Sequence, residues 1–158
     1  MTIVHLHLRI EPDLPPTIEI EVHASSDTVT AGTFLDCLRL SYEEIGGEGF
    51  NARRQRSRHT LSQETLDELQ RLLPIGPLAT PADAPVTLAG TTYTLTIARG
   101  ADIAEYTWSA SPPAEWECLR AIVRLLVATA GVTASLDRQS RAHLGTRLDK
   151  GDAPRGAS

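Results

Sequence analysis

A chain of 158 residues with 41% hydrophobic and 22% charged side chains can build one ordinary domain, which excludes wholesale disorder. Its net charge of -5 argues against a dedicated duplex DNA binder, which needs a broad basic face. Aromatic residues make up only 4%, so the core has to be mainly aliphatic, and two cysteines, Cys37 and Cys118, are too few for a disulfide framework.

Residues 3 to 10 alternate, with Val4, Leu6, Leu8 and Ile10 on one face and His5, His7 and Arg9 on the other. Residues 17 to 23 repeat the pattern, with Ile18, Ile20 and Val22 against Glu19, Glu21 and His23. With EPDLPP between them, the two runs predict an antiparallel hairpin with one wet face. Matching the apolar faces pairs Ile10 with Ile18, Leu8 with Ile20 and Leu6 with Val22. The same register sets Arg9 against Glu19, His7 against Glu21 and His5 against His23, so opposite charges support it.

Residues 24 to 33 read as a linker or long turn. A third strand is predicted over Leu35 to Glu44, with Leu38, Leu40 and Tyr42 facing inward. The cluster Gly46-Gly47-Glu48-Gly49 turns the chain back. Phe50 to Thr60 is polar on both faces, which fits an edge strand or an ordered loop in which arginines discourage edge-to-edge aggregation.

Ser62 is a good helix N-cap, with Glu64 in the first turn and Leu61 and Leu66 placed as a hydrophobic staple. Leu66, Leu69, Leu72 and Leu73 form its apolar stripe, and Pro74 ends it. Residues 75 to 90 read as an irregular connection. Tyr93, Leu95 and Ile97 mark another strand, ARGAD a hairpin turn, and Tyr106 and Trp108 the returning strand. A second helix is predicted to open at Ser111 with Pro112 in its first position. It carries Trp116, Leu119, Val123, Leu126 and Ala130 at helical spacing and ends at Gly131. The segment 132 to 158 holds little apolar material and reads as a flexible, largely disordered tail.

These elements predict an α+β fold: an antiparallel sheet of five or six strands with two helices packed on it, in one domain over residues 1–131. The N-terminus lacks a signal peptide's basic start and apolar core, and the cysteines sit among apolar residues, which together suit the cytoplasm. The longest apolar segment, Cys118 to Ala130, is interrupted by Arg120 and Arg124 and is too short to span a bilayer, so no membrane association is expected.

Chemistry-bearing motifs are sparse. Gly47-x-Gly49-x-x-Ala52 matches a dinucleotide fingerprint by letter, but no apolar helix stripe follows it, and no Gly-Lys-Ser/Thr is present for a P-loop. Arg54, Arg56 and Arg58 share one face of an extended strand, an arginine-rich edge over residues 53–58 that offers phosphate or nucleic acid a foothold. Single-strand binding also wants stacking aromatics, and only Phe50 is close, while Glu43, Glu44 and Glu48 partly cancel the field. His5, His7 and His23 on one sheet face are a candidate zinc-binding set, weighed against an exposed polar face. No Gly-x-Ser-x-Gly elbow is present and neither cysteine has a base nearby, so neither an enzyme nor a cofactor is expected.

The order from Leu38 to Gly131 is distinctive: a strand, a Gly-rich turn, a polar strand, "LSQETLDELQRLL", a Pro/Ala-rich link, "YTLTIARG", "YTWSASPP" and a closing helix. This layout resembles emfourin, a family of small bacterial proteins that inhibit thermolysin-like zinc metallopeptidases. The likeness lies in the pattern of a core over residues 35–131; the hairpin at 1–23, the long basic continuation after Phe50 and the tail are extra. The resemblance implies a protein-binding module whose partner is such a peptidase. Protease inhibition needs no catalytic group, only a rigid scaffold that presents a segment. The segment expected to do so carries Ile45, Gly46, Gly47 and Phe50, with Arg53, Arg54 and Arg56 placed for acidic groups on a partner's rim.

Overall fold

The computed structural model describes residues 4–13, 16–25, 32–47, 49–79 and 90–132. Six strands are present: β1 (Val4–Glu11), β2 (Thr17–Ser25), β3 (Gly32–Ile45), β4 (Gly49–Thr60), β5 (Thr92–Arg99) and β6 (Asp102–Ser109). Helix α1 (Gln63–Leu72) follows β4, and α2 (Glu117–Ala130) follows β6. The sheet is antiparallel throughout, in the order β4-β3-β2-β1-β5-β6. This is the predicted α+β class.

The β1–β2 register is the one that charge and hydrophobicity dictate, from Ile10↔Ile18 to Leu6↔Val22. This hairpin is not appended to the rest. It fills the middle of the sheet, with β3 paired to β2 and β5 paired to β1. Leu6, Leu8, Ile10, Ile18, Ile20 and Val22 are all buried and form the floor of the core.

Helix α2 covers that floor, crossing β2, β3 and β4 beside α1. Trp116, Leu119, Val123, Leu126 and Ala130 are buried as their spacing predicts, joined by Ile122 and Val127. Each fully buried aliphatic side chain here contributes about 2 kcal/mol before entropy. The helix begins later than predicted. Ser111 and Pro112 precede it, Ala114–Trp116 forms a 3-10 turn, and the α-helical part opens at Glu117. Proline lacks an N–H and fits a helix start, but here the pair of prolines extends the approach instead, with Pro113 at ψ 154°. At the far end Gly131 takes φ 70°, and the N–H groups of Gly131 and Val132 reach Ala128 O and Val127 O, closing a Schellman motif.

For α1, the Ser62 side chain accepts from the Thr65 N–H at 3.2 Å, the N-cap bond its identity predicts. Four aromatic rings join β5 and β6 to the start of α2. Tyr93 stacks on Trp108 at 5.6 Å, and Trp116 meets Tyr106 and Trp108 edge-on. The segment after α1 is tied to this cluster: Leu78 N–H donates to Tyr106 Oη, and Trp116 Nε1 donates to Ala79 O. Of the predicted irregular link, residues 80–89 lie outside the described residues, as do 26–31 of the predicted turn and the tail after Val132.

One expectation is overturned. Leu38, Leu40 and Tyr42 do not face the core. Ile20 pairs with Cys37 and Val22 with Leu35, so the odd-numbered positions of β3 point inward. Leu35 and Cys37 are buried, and Tyr42 is 54% exposed. Parity in a strand is absolute, and the β2 ladder fixed it through two buried pairs rather than through the longer apolar alternation.

Candidate functional site

Strands β3 and β4 outrun their neighbours. The last β2–β3 pair is Thr17↔Leu40. Beyond it the β3–β4 ladder continues through Ser41↔Arg53, Tyr42↔Ala52, Glu43↔Asn51, Glu44↔Phe50 and Ile45↔Gly49. At a rise of about 3.4 Å per residue, this two-stranded ribbon extends roughly 15 Å past the sheet. The polar sequence of β4 therefore makes a full strand of 12 residues rather than a loop, and that strand is an edge of the sheet.

The ribbon turns through Gly46 at φ 58° and Gly47 at φ 81°, left-handed values that side chains resist. Nothing lies within 4 Å of where a Cβ would stand at either glycine, so the backbone conformation, not crowding, calls for them. Ile45 is 59% exposed beside the turn. Glu48 and the Phe50 side chain lie outside what the structure describes. Across the ribbon, Arg53 reaches Glu43 at 3.3 Å on the helix side of the sheet.

The arginines of β4 therefore divide. Arg53 faces the helix side. Arg54 and Arg56 lie on the open face, opposite Leu40 and Leu38, exposed and without an ion pair among the described residues. Arg58 shares their face but is engaged. Its Nε and Nη2 grip Asp36 at 2.6 and 2.7 Å, and its guanidinium lies over Phe34 at 5.4 Å. Of the seven residues singled out in the sequence (Ile45, Gly46, Gly47, Phe50, Arg53, Arg54 and Arg56), all fall on the β3–β4 hairpin. Tyr42 stands exposed on the same hairpin, because the β2 ladder turns the even-numbered positions of β3 away from the core.

The three histidines share the open face as predicted, yet carboxylates hold two of them apart. His5 bonds Glu21 at 2.7 Å and His23 bonds Asp36 at 2.9 Å. Among the described residues no group of three His, Cys, Asp or Glu side chains is placed to hold a metal ion. A shallow depression of about 480 Å³ lies between these strands, lined by His7, Glu19, Glu21, Asp36, Arg56 and Arg58, with charges of both signs at its wall. A second, of about 580 Å³, sits at the β5–β6 turn against Ile75 and Ile103. Burial pushes the Cys37 thiol up, away from the nucleophilic thiolate. The only buried polar or charged side chain among the described residues is that of Ser109. No helix among the described residues is long and apolar enough to cross a membrane.

Comparison of the chain with protein-family models and with curated proteins finds no match. The likeness to emfourin accordingly rests on the order and pattern of elements alone.

Proposed function

We propose that the protein is a non-enzymatic protein-binding module, an inhibitor of a thermolysin-like zinc metallopeptidase, and that the tip of the β3–β4 hairpin is the part it offers. The projecting ribbon carries this reading: five ladder pairs continue it as paired strands beyond the sheet, with Tyr42 and Ile45 exposed along it. A pre-ordered ribbon loses little conformational freedom on docking, so more of its contact energy appears as affinity. Tyrosine and isoleucine supply the large apolar anchors that dominate such contacts, and the two glycines let backbone approach a cleft closely.

Binding to an immobilised thermolysin-like peptidase tests this. The whole chain should be retained, and Tyr42→Ser with Ile45→Ser should abolish retention while the melting temperature holds. Equal retention of the double variant would remove the tip from the account.

A second reading is favoured by one observation, the free guanidiniums of Arg54 and Arg56: binding of nucleic acid or phosphate along this edge. Its signature is affinity for an oligonucleotide that falls steeply with salt.

A further inference from the structure

We propose that β4 is a receiving edge for an extended acidic polypeptide, which adds to the sheet as a new strand with carboxylates set against Arg54 and Arg56. Three observations carry this. First, β4 ends the sheet, and its register with β3 runs without a bulge from Ile45↔Gly49 to Phe34↔Thr60. Residues 51 to 58 are all exposed, and the strand contains no proline. Half of the backbone N–H and C=O groups of such an edge point away from the sheet, ready for another strand.

Second, Arg54 and Arg56 on the open face of this edge make no ion pair among the described residues. Opposite Arg54 and Arg56 stand Leu40 and Leu38, which offer no counter-charge. The carboxylates nearby on this face are engaged elsewhere: Asp36 by Arg58 and His23, Glu21 by His5, and Glu19 by Arg9 at 3.8 Å. Residues at alternate positions of an incoming strand would meet both guanidiniums, so an acidic residue at every second position completes two cross-strand ion pairs.

Third, a second copy of β4 is the wrong occupant. Antiparallel pairing of two such edges in the registers centred on the arginines sets Arg54 against Arg56, or Arg56 against itself, and like charges directly opposite repel. The other free edge, β6, brings only Glu105 on the open face, and Thr96 already donates to it. A foreign acidic strand satisfies what the chain's own edges cannot. This deepens the protein-binding reading and rests on it for its setting, since an acidic segment beside a partner's cleft would engage β4 while the tip engages the cleft.

The test needs no natural partner. A labelled synthetic peptide alternating glutamate with threonine is titrated into the whole chain at physiological salt, with fluorescence anisotropy and amide exchange as readouts. Saturable binding should slow exchange along β4, and Arg54→Glu with Arg56→Glu should weaken it about tenfold or more. The charge-reversed variant should instead bind the peptide made with lysine in place of glutamate. Arg54→Gln with Arg56→Gln should give an intermediate affinity, which keeps the result readable should the reversed variant unfold. Ile45→Ser should bind the peptide as the parent does, so a failed edge and a failed tip are distinguishable. The idea is overturned if the parent chain does not bind, or if a peptide N-methylated at alternate residues binds equally well. Equal or tighter binding of a single-stranded oligonucleotide also overturns it.

Discussion

Asp36 on β3 and Arg58 on β4 are locked in a two-point ion pair, with Nε to Oδ1 at 2.6 Å and Nη2 to Oδ2 at 2.7 Å. The Arg58 hydrogen bonds, helped by His23, hold the Asp36 carboxyl at about 2, down from 3.8. A carboxyl held low contributes stability that is full above 3.8 and is lost as pH falls through about 2. Arg58 is 58% exposed, so solvent screening keeps the contribution small. Denaturant melts between neutral pH and pH 2 should show this loss in the parent chain, and Asp36→Asn should flatten the step while lowering stability at neutral pH.

The centre of the sheet is the hairpin that the core pattern would treat as an addition. Leu8 on β1 is wholly buried, between Ile20 on one side and Leu95 on the other. Leu8→Ala should cost about 2–5 kcal/mol in chemical denaturation, the range for a truncated core leucine. A loss of only a few tenths would mean that β1 is peripheral.

Two backbone positions should respond in opposite senses. Gly131 has φ 70° at the end of α2, and Ala110 has φ 61° at the end of β6. Gly131→Ala should destabilise by about 1 kcal/mol. Ala110→Gly should be neutral or stabilise by up to ~1 kcal/mol, since it relieves a left-handed alanine at the cost of added freedom in the unfolded chain. Paired thermal melts of the two variants check both.

Much of this fold is legible in the sequence where two signals coincide. In β1 and β2, hydrophobic alternation and cross-strand charge both select Leu8↔Ile20 with Arg9↔Glu19. Ser62 and Gly131 are read correctly because capping is local chemistry that a neighbouring element does not override. β3 is misread because Leu38, Leu40 and Tyr42 form a longer apolar run than Leu35 and Cys37, and only long-range pairing with β2 decides between them. That error hides Tyr42 from the candidate site. The division between Arg53, Arg54 and Arg58 is likewise illegible: alternation puts Arg54 and Arg58 on one face, but only the ladder with β3 places Asp36 against Arg58 and leucine against Arg54.

The most direct test is hydrolysis of a fluorogenic peptide by a thermolysin-like metallopeptidase as the chain is titrated in. The account predicts saturable inhibition by the parent protein and none by Gly47→Pro, a change that the φ of 81° forbids at the tip and that leaves the buried core untouched. Undiminished hydrolysis with the parent chain, or equal inhibition by a folded Gly47→Pro variant, would contradict it.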